Sequence, residues 1–312
     1  NLLSGDIEKY GPRGANKFPF TDWEYIPPEY LKGQLAESWE MPNLKTTVYH
    51  LRKGVMWQNK PGVMTSREFT ADDVVYCLNR QMQKKFGFYF YAEPITVTAR
   101  DKYTVVMEIK EQTTGWILPM AWCYYARIYP PEVVKAGMQY WQNAVGTGPF
   151  MLKDYVSGAS LTYEKNPNYY GTTTIGGKEY KLPFVDKLQW LIMPDESTQL
   201  AALRTGKVDM HELVSWKYKE TLAQTSPELA RYRFISTTGY SVALRVDKPD
   251  LPFKDIRVRR ALSMAIDRQD MIKSLKGGEA VILSYPFSMT WGEDFYTPLE
   301  KLPQSTRELF EY

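Results

Sequence analysis

Residues 146–155 read GTGPFMLKDY. The glycine-rich start of this stretch is compatible with a phosphate-binding loop or with a turn that leads into a strand, and the two imply different folds. A phosphate-binding loop follows a strand and opens a helix, whose N-terminal N–H groups then reach the anion. Here the glycines precede a strand-like run, no GKS or GKT follows, and Pro149 removes one backbone donor. The stretch is therefore predicted to be a turn, in which Gly146 and Gly148 adopt backbone angles that other residues resist.

Two clear patterns lie well before this turn. TTVYHL (46–51) alternates apolar and polar residues, which predicts a half-buried strand. TADDVVYCLNRQMQ (70–83) predicts a helix with an apolar face, for which Thr70 is a good N-cap and Asp73 completes a capping box with Asp in place of Glu. Asp72 and Asp73 are interpreted as a helix-start device, and catalytic carboxylates are the alternative.

Other segments before the turn are less regular. Residues 1–45 are rich in Pro and Gly and predict irregular structure with short pieces. Alternating apolar residues on both sides of residues 100–102 predict a hairpin that turns there. PPEVVKAG (130–137) predicts a helix with Pro at its first turn and Gly at its end.

After the turn the patterns alternate between strand and helix. FMLKDYV and SLTYEKN predict two strands joined by Ser157 and Gly158. KLQWLIM (187–193), DESTQLAALRTG (195–206) and KVDM (207–210) predict a strand, a helix and a short strand, a βαβ-like unit that implies an α/β layer.

Further strands and one long helix complete the pattern. YRFIST (232–237) and YSVALRV (240–246) predict strands, and DIRVRRALSMAIDRQDMIKSL (255–275) is the longest helical pattern.

Composition excludes several classes of function. A net charge of +3 over 312 residues argues against a dedicated nucleic-acid binder, and the basic run at Arg257, Arg259 and Arg260 is interpreted as a solvated helix face. Two histidines make histidine-based catalysis hard to build, and no Cys/His cluster has metal-ligand spacing. Cys77 and Cys123 form a disulfide or stay as free thiols. No apolar run approaches the length of a membrane span.

Five stretches in order carry a family resemblance. Together they closely resemble the extracellular solute-binding proteins, family 5, of peptide/nickel-type ABC importers, from Leu35 to Ile272. The stretches are LAESWEMPNLKTTVYHLRKGVMWQ, FTADDVVYCLNR, GTGPFMLKDYVSGASLTYEKNPNYYG, DESTQLAALRTGKVDM and PFKDIRVRRALSMAIDRQDMI. The resemblance implies an α/β, periplasmic-binding-protein-like fold of the multi-lobed type II, with mixed sheets and an incomplete second ligand lobe.

The same resemblance implies a lobe for each part of the chain. Residues 1–45 would begin the main lobe, 46–144 form a small inserted lobe, 145–236 resume the main lobe, and 237–312 start a second ligand-binding lobe. Family members are considerably longer, so the sequence is expected to be a fragment that lacks N- and C-terminal parts.

The resemblance also implies a function without catalysis. Such receptors are periplasmic or extracellular, some of them lipid-anchored, and they hand their solute to a membrane permease and its ATPase. They need no cofactor and no metal, and nucleic acid is not a partner. Peptide is the favoured solute on the family resemblance, while nine tryptophans raise the alternative of an oligosaccharide. A hydrolase using Asp154, Glu164 or Glu212 and a pure interaction protein are the remaining alternatives.

Solute contacts are expected where strands change lobe, and large aromatic rings suit the walls of such a cleft. The predicted contacts, with Tyr240 first, are Tyr240, Gly239, Thr238, Trp122, Tyr124, Tyr89, Tyr285, Phe287 and Trp291. Crossovers that absorb rotation are predicted at Gly146, Gly148 and Thr237.

Overall fold

The structure is a computed structural model that describes most of the 312-residue chain. The described residues are 1–11, 14–18, 20, 26–83, 95–110, 127–233, 242–283 and 296–310. The chain divides into two compact units. The first comprises residues 1–7 and 28–195, and the second residues 8–27 and 196–312.

A short ribbon opens the first unit. Strand β1 (Leu3–Gly5) pairs antiparallel with β2 (Leu31–Gly33), and the short helix α1 (Ile7–Tyr10) lies between them in sequence. Leu3 and Leu31 are buried, so the ribbon contributes to the core.

A four-stranded antiparallel sheet follows in the order β3-β4-β6-β5. Its strands are β3 (Ala36–Asn43), β4 (Thr46–Leu51), β5 (Ile95–Asp101) and β6 (Thr104–Ile109). The predicted strand at 46–51 is confirmed, but three successive residues, Thr47, Val48 and Tyr49, are buried. The strand is central in the sheet and covered on both faces, rather than half-buried as alternation suggested.

Strand β3 corrects the expectation that residues 1–45 are irregular. Its sequence contains Pro42, and few of its residues favour strands. It forms at the edge of the sheet, where a proline is tolerated, and bulges interrupt its pairing with β4. Pairing with a neighbour therefore outweighs local propensity here.

Helix α2 (Ala71–Gln83) covers the sheet over β5 and β6. Its predicted start is confirmed, because the Thr70 backbone N–H donates to Asp73 Oδ2 at 3.0 Å. The chain between β4 and α2 adds Trp57 and Phe69, whose rings meet edge to face with centroids 5.8 Å apart. Together these residues form the core of the first unit.

A second, three-stranded antiparallel sheet has the order β11-β8-β7. Helix α3 (Pro131–Ala136) precedes it, with Pro at its start and Gly137 at its end, as predicted. The strands are β7 (Phe150–Val156), β8 (Ser160–Lys165) and β11 (Lys187–Leu191), so the strands predicted on either side of Ser157 and Gly158 are confirmed. Between β8 and β11 lies a hairpin of β9 (Thr172–Ile175) and β10 (Lys178–Lys181).

In the described residues of the second unit, the regular elements are helices, joined by turns and irregular segments. Its helices are α4 (Glu196–Arg204), α5 (Lys219–Thr225), α6 (Ile256–Met264), α7 (Arg268–Lys276) and α8 (Gln304–Arg307). Helix α4 confirms the predicted helix, and Gly206, with φ of 65°, follows it. Helices and sheets together give the mixed composition of the predicted α/β class.

The strand predicted at 207–210 is wrong, and the two strands predicted after it are not seen in those of their residues that are described. Residues 207–210 form no strand, because the N–H groups of Lys207 and Val208 donate back to the Ala202 carbonyl at the end of α4. Residues 232–233 and 242–246 are also not in strands, and the rest of those two predicted strands lies outside the described residues.

The predicted long helix is divided in two, α6 and α7. Asp255 caps α6, with its side chain accepting from the Arg257 N–H at 2.9 Å. Asp267 interrupts the helical pattern and caps α7, with its side chain accepting from the Asp270 N–H at 2.8 Å. An aspartate that satisfies the first N–H groups of a new helix favours this break.

Candidate functional site

All nine predicted solute contacts, together with the predicted crossover residue Thr237, fall outside the described residues. This applies to every predicted aromatic contact and to the segment around Tyr240. The predicted residues concerned are Tyr240, Gly239, Thr238, Thr237, Trp122, Tyr124, Tyr89, Tyr285, Phe287 and Trp291. The part of the candidate site that the structure describes is the crossover at residues 144–150, which contains Gly146 and Gly148.

Gln58 holds the crossover from one side. Its backbone N–H donates to the Gly146 carbonyl at 3.1 Å, and its side-chain Oε1 accepts from the Gly146 N–H at 3.3 Å. Its side-chain Nε2 donates to the Phe150 carbonyl at 3.1 Å. One amide side chain thus bridges the two ends of the turn.

Asn166 holds the crossover from the other side. Its backbone N–H donates to the Pro149 carbonyl at 2.8 Å, and its Nδ2 donates to the Gly148 carbonyl at 2.9 Å. Its Oδ1 accepts from the Asn168 N–H at 3.1 Å, and the residue is 3% exposed. Gln58 and Asn166 therefore satisfy backbone carbonyls along an irregular turn.

The two glycines of the turn do not use left-handed backbone angles. Neither Gly146 nor Gly148 has φ in the positive region, although nine other glycines in the described ranges do. The predicted reason for these glycines is therefore wrong. A Cβ at Gly148 would meet no atom within 4 Å, and one at Gly146 would meet only atoms at 3.8 Å or beyond. The conformation seen here does not require glycine at either position.

Sequence reasoning missed both residues that hold the turn. Asn166 carries a readable signal, because Asn-Pro-Asn at 166–168 is typical of a side chain that bonds the backbone two residues on. Gln58 carries no local signal, since its partners lie about ninety residues away in the sequence.

The aspartate pair at the start of α2 has a structural role. Asp73 is 2% exposed and accepts from Trp57 Nε1 at 3.0 Å, while Asp72 is exposed. Arg67 donates to Asp73 at 2.7 Å and to Glu132 at 2.7 Å, and so joins the starts of α2 and α3. The hydrogen bonds that Arg67 donates to Glu132 and then to Asp73 raise the pKa of Arg67, and Arg67 in turn lowers the pKa of Glu132.

A second ion pair fastens the loop before α2 to the β5–β6 turn. Glu68 accepts from Lys102 Nζ at 2.8 Å and from the Gly54 N–H at 2.7 Å. These bonds, with a further one from Tyr103, lower the pKa of Glu68 to about 2. Lys102 is the largest cause.

The residues of the hydrolase alternative are exposed. Asp154 and Glu164 lie on β7 and β8, where Glu164 is 3.5 Å from Lys153 Nζ, and Glu212 lies after α4. No group of three or more His, Cys, Asp or Glu side chains within the described ranges is arranged to hold a metal ion.

Cys77 is a free, buried thiol. It donates to the Arg127 carbonyl at 2.9 Å, and burial raises its pKa. Cys123 lies outside the described residues.

The second unit contains an open depression of about 950 Å³. Its lining residues lie within the ranges 267–282 and 296–300. Its polar lining includes Asp267, Asp270, Lys273 and Glu300. Asp267 is engaged as the cap of α7, so it serves the helix first. None of the helices in the part of the chain that is described has the length and apolar character needed to cross a bilayer.

The chain belongs to the bacterial extracellular solute-binding proteins, family 5, whose model matches residues 31–311. Family 5 is a solute-binding family, and the predicted family and fold class are thereby confirmed.

Curated relatives and a solved structure are similar over most of the chain. Heme-binding protein A of Haemophilus influenzae is 27% identical over 291 residues, which are 84% of this chain and 50% of that protein. The dipeptide-binding protein of Escherichia coli is 27% identical over 79% of this chain and 48% of its own length. The chain thus spans about half the length of these relatives.

The solved structure is the periplasmic binding protein DppA of Helicobacter pylori in complex with the peptide STSA. It has a TM-score of 0.66 and 24% identity, and the match covers 90% of this chain and 57% of that one. The fold is shared with this structure.

Proposed function

We propose that this protein is a solute-binding receptor of an ABC importer, which captures a di- or oligopeptide between lobes and delivers it to a membrane permease and its ATPase. The observation that carries the proposal is the family match over residues 31–311. The dipeptide-binding relative and the peptide-bound structure of the same fold favour peptide as the solute. We also propose that the protein is periplasmic or extracellular, as a member of a family in which some receptors carry a lipid anchor.

Binding would use segments close to the lobe junctions. Tyr240 with Gly239 and Thr238 would form one wall of the cleft, where backbone groups can pair with an extended peptide. The aromatic residues proposed to add to the walls are Trp122, Tyr124, Tyr89, Tyr285, Phe287 and Trp291. The lobes are proposed at 1–45 with 145–236, at 46–144, and at 237–312.

Thermal unfolding of the full-length protein with a peptide library tests this function. A receptor is stabilised by its solute, because binding to the folded state alone raises the melting temperature with concentration. We expect a peptide-dependent rise of several degrees, and loss of that rise in Tyr240→Ala. The absence of any shift with peptides, sugars and metal complexes would contradict the proposal, and turnover of a bound solute would favour the enzyme alternative.

Heme is a second candidate solute. The relative named heme-binding protein A aligns over 84% of this chain and supports its inclusion. A rise in melting temperature with heme but with no peptide would replace peptide by heme, while the receptor function would stand.

Closure is proposed to rotate the backbone at Gly146, Gly148 and Thr237. Gly148→Ala tests this cleanly, because a Cβ at Gly148 fits without contact in the present conformation. If Gly148→Ala weakens solute binding without lowering stability, Gly148 has a backbone conformation in the solute-bound form that differs from the one in this structure. Unchanged affinity and closure rate in both Gly146→Ala and Gly148→Ala would remove these residues from the closing mechanism.

A further inference from the structure

The turn at residues 146–150 is tied to two different parts of the first unit. On one side, Gln58 follows Trp57, whose backbone N–H donates to the Arg67 carbonyl at 2.8 Å and whose side chain is anchored on Asp73. Gln58 is thus attached, through the contacts of its neighbour Trp57 with Asp73, to the layer formed by α2 and the four-stranded sheet.

On the other side, Asn166 directly follows strand β8. The last pair of the β7–β8 ladder is Phe150 with Lys165, and the Asn166 N–H bond to Pro149 continues that ladder by one residue. Asn166 is thus rooted in the three-stranded sheet. The crossover connects the two sheets in sequence, and these two side chains connect them again through space.

The Gln58 amide is specific in direction. Its oxygen accepts from an N–H at residue 146, and its nitrogen donates to a carbonyl at residue 150. Reversing the amide would set donor against donor and acceptor against acceptor, so both contacts depend on one orientation. Since both bonds are made by one rigid amide group, a change in the separation of the Gly146 nitrogen and the Phe150 oxygen strains at least one of them.

We propose that Gln58 and Asn166 are positioning residues that clamp the crossover, so that the four-stranded and three-stranded sheets keep one relative orientation until the Gln58 bonds break. The clamp determines whether the crossover bends. A bend at Gly146 or Gly148 needs release of Gln58, whereas an intact clamp joins the two sheets into one body. The inference rests on the proposed function only where it links the clamp to solute affinity.

Distances between spin labels on the two sheets test the clamp in the full chain without any solute. Labels are placed at Thr98→Cys on β5 and Gln189→Cys on β11, which are both exposed, in a background with Cys123→Ser. Cys77 is fully buried and is left in place. We expect one narrow distance distribution in the parent, and in Gln58→Met a distribution at least twice as wide or with a second population.

Two control variants separate the clamp from general effects. Gln142→Met makes the same chemical change at an exposed position and should leave the distribution narrow. Val97→Ala removes buried volume from β5 and lowers stability without touching the clamp. A distribution that stays narrow in Gln58→Met, or that widens equally in Val97→Ala, would overturn the proposal.

Hydrogen exchange gives a second readout at single amides. The Gly146 N–H should exchange about five- to tenfold faster in Gln58→Met, because that variant removes its acceptor, Gln58 Oε1. Gln58→Glu keeps the acceptor for the Gly146 N–H and loses the donor to Phe150, so it should accelerate Gly146 less than Gln58→Met does. Equal rates in all three proteins would contradict the clamp.

Solute affinity is measured separately. If Gln58→Met widens the distances and no solute binds even the parent, the clamp stands and the receptor function fails. If solute binds and the distances never change, the receptor stands and the clamp fails.

Discussion

The four-stranded and the three-stranded sheets are both antiparallel and both carry an apolar face, but they differ in what covers that face. In the four-stranded sheet Val97, Val105 and Met107 are at most 3% exposed beneath helix α2. In the three-stranded sheet six apolar side chains share one face by register, and none of them is buried. These residues are Leu152, Tyr155, Leu161, Tyr163, Leu188 and Trp190.

The difference in cover indicates that the two sheets are stabilised by different interactions. The first sheet is held by burial of apolar area, which is the dominant favourable contribution in folding. The second sheet has its strands defined by hydrogen bonds and by turns, such as Gly158 with φ of 70° and the side chain of Asn166. The same type of substitution should therefore lower the free energy of unfolding more in the first sheet than in the second.

The largest expected effect comes from two tryptophans, Trp57 in the core that contains the four-stranded sheet and Trp190 in the three-stranded sheet. Trp57 is 1% exposed and donates to Asp73, whereas Trp190 is 53% exposed on β11. Trp57→Ala should lower the free energy of unfolding by about 3–5 kcal/mol, from lost burial and the cavity left behind. Trp190→Ala should lower it by about 1 kcal/mol or less. Guanidinium unfolding followed by circular dichroism measures both, and similar losses would remove the distinction between the sheets.

The next largest effect tests whether the ion pair of Arg67 and Asp73 stabilises helix α2 on the four-stranded sheet in addition to apolar packing. Asp73→Asn weakens a buried partner of Arg67 and should cost about 2–3 kcal/mol, less than a fully buried pair because Arg67 is 35% exposed. Asp72→Asn, one residue earlier on the exposed side of α2, should cost about 0.5 kcal/mol through the helix dipole. Urea unfolding compares them, and equal costs would show that the ion pair adds no stability.

The same two sheets show how far the sequence predicts the fold. Strand β4, helix α2 and the β7–β8 hairpin were predictable, because alternation, a cap and a glycine turn are local signals. The β9–β10 hairpin was missed although its Gly176-Gly177 turn is a recognised two-residue signal. Strand β3 was not predictable, since its edge position depends on pairing with β4 rather than on its own residues.

The candidate site was less predictable than the fold. The cap at Asp267 was readable and went unused, which is why one long helix was expected instead of two. Gln58 could not be recognised, because its role exists only once Gly146 and Phe150 are folded against it. The proposed aromatic contacts rest on family resemblance and remain predictions.

A smaller effect tests the claim that turns define the second sheet and its hairpin. Gly177 has φ of 78°, in the left-handed region that penalises a Cβ, so Gly177→Ala should cost about 1 kcal/mol. Gly148→Ala, where φ is not left-handed and space is open, should raise stability by about 0.4–1 kcal/mol, because the unfolded chain loses conformational freedom. Thermal unfolding of both variants measures the difference, and an equal loss in Gly148→Ala would mean that the crossover needs glycine after all.

The smallest effect concerns the ion pair of Glu68 and Lys102, which joins the loop before α2 to the β5–β6 turn, and it is measured as a dependence of stability on pH. The pKa of Glu68 is lowered to about 2, chiefly by the hydrogen bond from Lys102, so its ionised form stabilises the folded state. That stability is present above the unfolded pKa of about 4.3 and is lost as the pH falls towards 2.

Solvent screens the exposed side chains, which keeps the contribution small. We expect Glu68→Gln to flatten the decline of unfolding free energy between pH 5 and pH 2, and Lys102→Met to flatten it in part, because the Gly54 N–H bond remains. Urea unfolding at each pH measures the slope. An unchanged slope in Glu68→Gln would assign the acid sensitivity to other carboxylates, and would leave apolar burial as what distinguishes the two sheets.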